Sequence, residues 1–170
     1  MAVLRVCLTL LLTLLLGSAG ARAAVPQTDA PPGLFDRPVL VVDPGVHTVF
    51  IDRASADEDG RWAVTGSDDK TIRVWSLADG ALARTIRLPA GPGNVGKVFA
   101  VAISPDGALV AAGGFTRPDG QPQAVYLFDR ATGALVRRIE GLPNAVTHLA
   151  FSPDSARLAV LLHAGGGLSV

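Results

Sequence analysis

Three segments of the chain repeat one pattern, and this repetition limits the fold more than any other feature of the sequence. Each segment opens with an aspartate at a turn and continues into a short apolar run, and these aspartates are Asp59, Asp106 and Asp154. They lie 47 and 48 residues apart. A unit of that length is too small to bury a core alone, so units of this kind stack on one another.

Turn residues divide each unit into short strands. Ser104-Pro105-Asp106-Gly107 and Ser152-Pro153-Asp154-Ser155 combine a proline that presets φ with an aspartate that accepts hydrogen bonds from nearby amides. Gly80 and Gly133 supply the positive φ that the next hairpin turn needs. The predicted strands are 48–53, 61–66, 71–76, 81–87, 97–103, 109–114, 124–129, 134–140, 146–151, 157–162 and 168–170. Short strands at this period predict an all-β protein made of about three partial, four-stranded blades of a β-propeller.

Residues 1–23 have the composition of a signal peptide. Arg5 precedes an apolar run, residues 6–16, which is shorter than the roughly 20 residues that a membrane-spanning helix needs. Ala21-Arg22-Ala23 then matches the small-residue pattern of a cleavage site, and an uncleaved membrane anchor is the alternative. Cleavage would remove Cys7, the single cysteine, and with it any disulfide or thiolate chemistry.

The rest of the chain divides into a linker and the repeats. Residues 24–38 are rich in proline and are predicted to be a linker, and the apolar run 39–42 is predicted to form one further strand. Within the repeat region, 39–170, the units occupy about 46–93, 94–141 and 142–170. Closed propellers usually have four to eight blades, so the chain is expected to carry a truncated, incomplete ring.

Residues 65–75, Thr-Gly-Ser-Asp-Asp-Lys-Thr-Ile-Arg-Val-Trp, resemble a hairpin of the WD repeat (Trp-Asp repeat) β-propellers. The resemblance covers about residues 37–170 and weakens along the chain, because Ser76 replaces the usual aspartate and only the first unit keeps the histidine. It implies a structural, hydrogen-bonded tetrad within the first blade. Its members are His47, Ser67 or alternatively Thr65, Asp69 and Trp75. A buried polar chain of this kind specifies one geometry and has no catalytic role.

The second unit carries a long loop, residues 115–123, between its second and third strands. It is six residues longer than its counterpart in the first unit. Loops in this position stand at the rim of a propeller, where binding surfaces tend to lie. Arg117, Asp119 and Gln121 are the predicted contact residues of this loop, and a tolerated insertion is the alternative.

Other patterns predict no catalytic, cofactor or metal site. Residues 91–97 match the GxxxxGK part of a phosphate-binding loop, but Val98 stands where the motif needs Ser or Thr. A strand pattern follows in place of the helix whose amides would bind phosphate. The three histidines lack metal-ligand spacing, and the acidic residues 57–59 lack the order of a calcium-binding loop.

Charge excludes one class of partner. The formal net charge is zero, so the sequence has no electrostatic footprint for nucleic acid. We therefore predict an exported, non-catalytic scaffold or sensor, periplasmic or extracellular, which binds a protein or other domains of its own longer chain and, after signal cleavage, no membrane. The resemblance to secreted bacterial WD-repeat proteins leaves an alternative, the non-catalytic arm of a larger secreted enzyme such as a caspase-like peptidase. A third hypothesis is a propeller enzyme with its site in the central channel.

Overall fold

Short antiparallel strands make up most of the chain after residue 50. The computed structural model describes residues 33–164 and 168–169. Its strands are β1 (Ile51–Ala56), β2 (Trp62–Ser67), β3 (Thr71–Ser76), β4 (Leu82–Arg87), β5 (Val98–Ile103), β6 (Leu109–Gly114), β7 (Gln123–Asp129), β8 (Leu135–Leu142), β9 (Val146–Phe151), β10 (Leu158–Leu162) and β11 (Leu168–Ser169). The described part has no α-helix, and hence none that is long and apolar enough to span a bilayer. The predicted all-β fold is confirmed.

The strands form three antiparallel sheets that follow one another along the chain. β1–β4 and β5–β8 make four-stranded sheets, and β9–β11 make a three-stranded sheet in the described residues. The first strands of the sheets, β1, β5 and β9, contact one another in that order. The sheets therefore stand side by side as neighbouring propeller blades do, and they do not close a ring.

The predicted Ser-Pro-Asp turns join the first two strands of the second and third sheets. In the first of these turns, the Ser104 hydroxyl and the Asp106 carboxylate accept hydrogen bonds from turn amides. Ser152 and Asp154 make the equivalent bonds in the second. The serine hydroxyl also donates to the aspartate in each turn, and this bond holds the pKa of both carboxyls below its usual range. The turn chemistry expected from the sequence is thus present in both units.

The registers show that the three sheets are structural repeats. Each sheet has a register shift near the same place, where its first strand begins to pair with the second. The corresponding pairs are Ile51–Ser67, Val98–Gly114 and Val146–Leu162. These pairs are offset by the spacing that separates the turn aspartates, so the sequence repeat and the structural repeat coincide.

A glycine on the second strand allows the next sheet to approach closely. A β-carbon at Gly66 would lie 2.8 Å from a methyl carbon of Val98, and one at Gly113 would lie 2.9 Å from Cβ of Val146. Leu161 occupies the corresponding position of the third sheet, where its side chain is 45% exposed. The third sheet therefore has an exposed leucine side chain where each of the first two sheets has a glycine that leaves room for its neighbour.

Two apolar cores lie between the sheets. Alternate residues of the second sheet point to opposite faces, as strand geometry requires. Ala112 and Tyr126 belong to the core shared with the first sheet, whereas Ala111 and Val125 belong to the core shared with the third. All four are at most 2% exposed. The second sheet is consequently buried on both faces, and it fixes the positions of its two neighbours.

Two predictions about the N-terminal part are wrong. Residues 39–42 form no strand, and their side chains are exposed because no described strand pairs with them. The first strand begins at Ile51, three residues later than predicted. The amide of Thr48 donates instead to the carboxylate of Asp69, and the carbonyl of Phe50 accepts from an amide of the same turn. The predicted signal peptide, 1–23, and residues 24–32 of the linker lie outside the described residues.

Candidate functional site

Four side chains of the first unit form one continuous hydrogen-bonded chain. Trp75 Nε1 donates to the Thr65 hydroxyl at 2.8 Å, and that hydroxyl lies 2.7 Å from His47 Nε2. His47 Nδ1 lies 2.9 Å from Oδ2 of Asp69. The His47 and Asp69 side chains are only 3% and 8% exposed. These hydrogen bonds link the loop before β1 with β2, with β3 and with the turn that joins β2 to β3.

The donors and acceptors in this chain are consistently assigned when the ring proton lies on Nδ1 of His47. Trp75 Nε1 is always a donor, so the Thr65 oxygen accepts from it and the Thr65 proton is free to point at His47 Nε2. Nε2 then accepts, and the ring proton lies on Nδ1, from which it is donated to Asp69. With the proton on Nδ1 every member has a partner, which is the condition under which a buried polar chain stabilises a fold.

Asp69 is the point where the chain joins the β2–β3 turn. Its second carboxylate oxygen accepts from both the amide and the hydroxyl of Thr71. Burial of the carboxyl opposes its ionisation, but the hydrogen bonds from Thr71 and His47 outweigh this and hold its pKa below the usual range. Asp69 is therefore a charged acceptor that organises the turn.

Ser67, the first choice for the hydroxyl in the sequence analysis, does not take part in this chain. Its hydroxyl accepts from the Asp69 amide at 3.1 Å and so closes the turn locally. Trp75 pairs across the sheet with Ala63, which places Thr65 on the diagonal that a tryptophan side chain reaches. Counting the hairpin register from the turn would have selected Thr65 from the sequence.

The second sheet replaces this polar chain with apolar side chains. The repeat register places Ala112 at the position of Thr65, and Phe128 at that of Trp75. Both belong to the core between the first two sheets. Among the described residues, the complete chain of four side chains therefore occurs in the first sheet alone.

A buried arginine that the sequence analysis did not select lies beside the polar chain. Arg73 is 1% exposed, and its guanidinium donates to Oδ1 of Asp43 at 2.7 Å, to the Val46 carbonyl and to the Thr85 hydroxyl. The hydrogen bond from Arg73 lowers the pKa of Asp43 to about 2. This ion pair ties the segment that carries His47 to the face of the first sheet.

The long loop of the second unit is anchored at its base and exposed at its tip. Gln123, 3% exposed, accepts from the amides of Thr116 and Arg117 and donates to the carbonyl of Gln121. The Arg117 side chain is half-buried and lies 3.6 Å from Glu140. Of the three predicted contact residues, Asp119 and Gln121 are exposed, whereas Arg117 supports the loop.

The lysines in and beside the segment that matches part of a phosphate-binding loop are already bonded to other groups of the protein. Residues 91–97 form an irregular loop that leads directly into β5. Lys97 makes an ion pair with Asp68 at 2.7 Å, and Lys70 donates to the carbonyl of Gly91. The segment therefore connects the first two sheets and lacks the helix that would present amides to a phosphate.

The first unit matches a known family. Residues 45–76 match the family model described as WD domain, G-beta repeat. This part of the chain is therefore similar to one WD repeat. The matched span includes His47, Thr65, Asp69 and Trp75, so the WD repeat and the polar chain coincide. The predicted resemblance to the WD-repeat family is confirmed for this span.

Several proteins with longer chains are similar to this one. It is 31% identical over 109 residues to Protein HIR1 of Cryptococcus neoformans, a match of 64% of this chain and 12% of the relative. It is 36% identical over 92 residues to small ribosomal subunit protein RACK1y of rice, Oryza sativa, covering 54% and 24%. A ribosome biogenesis protein BOP1 homologue of Monosiga brevicollis is 43% identical over 44 residues, covering 26% and 6%. The chain thus spans a quarter or less of these relatives, and its bacterial, exported origin stays a prediction.

Proposed function

We propose that this chain is an exported, non-catalytic module that binds another protein through the rim of its WD-repeat sheets. WD-repeat proteins are in general scaffolds for protein interactions, and the rim loop 115–123 is the observation that carries the proposal here. A loop with a buried base and an exposed tip loses little conformational freedom on binding, which favours affinity. Its location at one end of β6 and β7 leaves the sheets themselves undisturbed.

The buried polar chain supports a role without catalysis. Thr65, His47 and Asp69 have the order of a hydroxyl, a base and an acid, which in other folds activates a nucleophile. Such a hydroxyl must reach a substrate, whereas the Thr65 oxygen already accepts from Trp75 and the His47 side chain is 3% exposed. The arrangement therefore favours a structural role for these side chains over a role in acyl transfer.

A photo-crosslinking amino acid at Gln121 tests the proposed binding surface. We expect one discrete covalent adduct with a protein of the exported fraction of the native host. The same label at Arg137, an exposed position on β8, should give none. The variant Asp119→Lys should weaken binding of the purified adduct partner by about tenfold, as expected for a contact that is lost and replaced by repulsion.

Two outcomes would contradict the proposal. Equal adducts at Gln121 and Arg137 would show that the rim loop has no special role. Unchanged binding by Asp119→Lys would place the contact elsewhere. An adduct within a longer form of the same chain would favour the alternative in which this module is the non-catalytic arm of a larger secreted enzyme.

Amino-terminal sequencing of the exported protein checks the export signal, and we expect it to begin at Ala24.

A further inference from the structure

Two arginines at the end of the sheets opposite the rim loop have no carboxylate partner among the described residues. Eleven arginines lie in the described part of the chain, and six of them have a carboxylate within 4.0 Å. The five without one are Arg53, Arg84, Arg130, Arg137 and Arg157. Arg84 and Arg130 are the two of these five that are half-buried, and the other three are exposed.

Both half-buried arginines border the turn between β7 and β8. Arg84 Nη2 donates to the carbonyl of Ala131, and the Arg84 side chain packs against Gly133, where a β-carbon would lie 2.9 Å from Cδ. Arg130 belongs to the turn itself, and its Nε donates to the Gly107 carbonyl at 2.7 Å. Each guanidinium therefore has one N–H committed to the backbone and further N–H groups free to donate.

An aromatic ring fixes the position of the second guanidinium. Cζ of Arg130 lies 4.0 Å from the centre of the Trp62 ring, and Trp62 is itself half-buried. Stacking of this kind attracts the cation to the ring face and holds its plane. Asp129 lies nearby, and its Oδ1 accepts from the amide and hydroxyl of Thr132, but no described carboxylate comes within 4.0 Å of either guanidinium. The two cations are thus oriented before any partner arrives.

We propose that Arg84, Arg130 and Trp62 form a docking site for an acidic segment of a partner protein. A half-buried cation has lost part of its hydration, so a carboxylate that reaches it replaces water at a lower cost than at an exposed arginine. Because both guanidiniums are already held, little side-chain entropy is lost on binding. The zero net charge of the chain favours a short acidic segment over a polyanion such as nucleic acid. The site is separate from the rim loop and deepens the proposed function by naming the partner's chemistry.

Fluorescence anisotropy with a synthetic peptide tests the site in the full chain. The probe is a short fluorescein-labelled peptide of alternating glutamate and serine, and its glutamine counterpart is the uncharged control. We expect Arg84→Gln and Arg130→Gln each to weaken binding of the glutamate peptide by about tenfold, since each removes a charge-assisted hydrogen bond. The matched control is Arg137→Gln on β8, which removes the same charge from an exposed arginine and should change binding by less than about twofold.

Intrinsic fluorescence provides a second readout at the same site. The chain has two tryptophans, Trp62 and Trp75. Peptide binding should change the emission of the wild-type chain, and this change should vanish in Trp62→Phe. Arg84→Gln leaves the Arg130–Trp62 stack in place, so it tests the proposal even if Arg130→Gln lowers the melting temperature.

Four results would overturn the proposal. The first is no binding of the glutamate peptide at low salt, and the second is an equal loss of binding in Arg137→Gln. The third is equal binding of the glutamine peptide. The fourth is displacement of the peptide by inorganic phosphate at the same concentration, which would identify a phosphate site instead. The rim-loop variant Asp119→Lys should bind the glutamate peptide normally, so failure here is distinguishable from failure of the proposed rim surface.

Discussion

Asp69→Ala is expected to lower the free energy of unfolding by about 3 kcal/mol, because it leaves several buried donors without an acceptor. The carboxylate accepts from His47, from the amide of Thr48 and from the amide and hydroxyl of Thr71. Removing it also detaches the loop before β1 from the β2–β3 turn. Urea denaturation followed by circular dichroism measures the change in the free energy of unfolding.

Asp79→Ala is the matched control for this prediction. Asp79 also lies in a hairpin turn of the first sheet, where it accepts from the Ala81 amide, but it is exposed and outside the polar chain. We expect a much smaller loss of stability for this variant. Equal stability of Asp69→Ala and the wild type, combined with a loss of partner binding, would show that Asp69 is a contact residue and not a structural one.

Gly113→Ala is expected to destabilise the chain by about 2 kcal/mol, because the added methyl group overpacks the core between the second and third sheets. The new β-carbon would lie 2.9 Å from Cβ of Val146 and 3.1 Å from both of its methyl carbons. Val146 is fully buried on β9, so it has no free space into which to move. The same denaturation measurement applies.

A double-mutant cycle separates this clash from a general effect of alanine in a strand. Val146→Ala removes the methyl groups that the new β-carbon would meet. The double variant should therefore lose less stability than the sum of the two single variants, with a coupling of about 1 kcal/mol. Strict additivity would mean that the close approach of the sheets at Gly113 does not limit the core.

The repeat architecture was predictable because it rests on local signals. Ser-Pro-Asp and Ala-Asp-Gly turns have backbone requirements that few residues satisfy, so they place the strand ends independently of tertiary contacts. Most strand bounds consequently agree with the structure to within two residues. The run 39–42 failed as a strand because β-branched residues favour an extended backbone, whereas a strand needs a partner that no short pattern reveals.

The members of the polar chain were predictable in type, but their detailed contacts were not. The resemblance pointed to a hydroxyl on β2, and the choice between Ser67 and Thr65 depended on the cross-strand diagonal, which follows from the hairpin register counted from the turn. Arg73 gave no signal at all, because arginine on a strand is usually exposed. Its burial depends on Asp43, which lies 30 residues earlier in the chain. Leu161 likewise could not be singled out from the sequence, because its exposed position is informative only once the sheets are aligned and it proves equivalent to Gly66 and Gly113.

The direction of the hydrogen-bonded chain is the claim on which the structural role of these residues depends, and nitrogen NMR of the His47 ring tests it most directly. In protein labelled with ¹⁵N at histidine, we expect a proton on Nδ1, donated to Asp69, and a bare Nε2 that accepts from Thr65. A ring that carries its proton on Nε2 and none on Nδ1 would contradict this assignment. Two N–H groups would then point at the Thr65 oxygen, and Asp69 would face a ring nitrogen with no proton to donate.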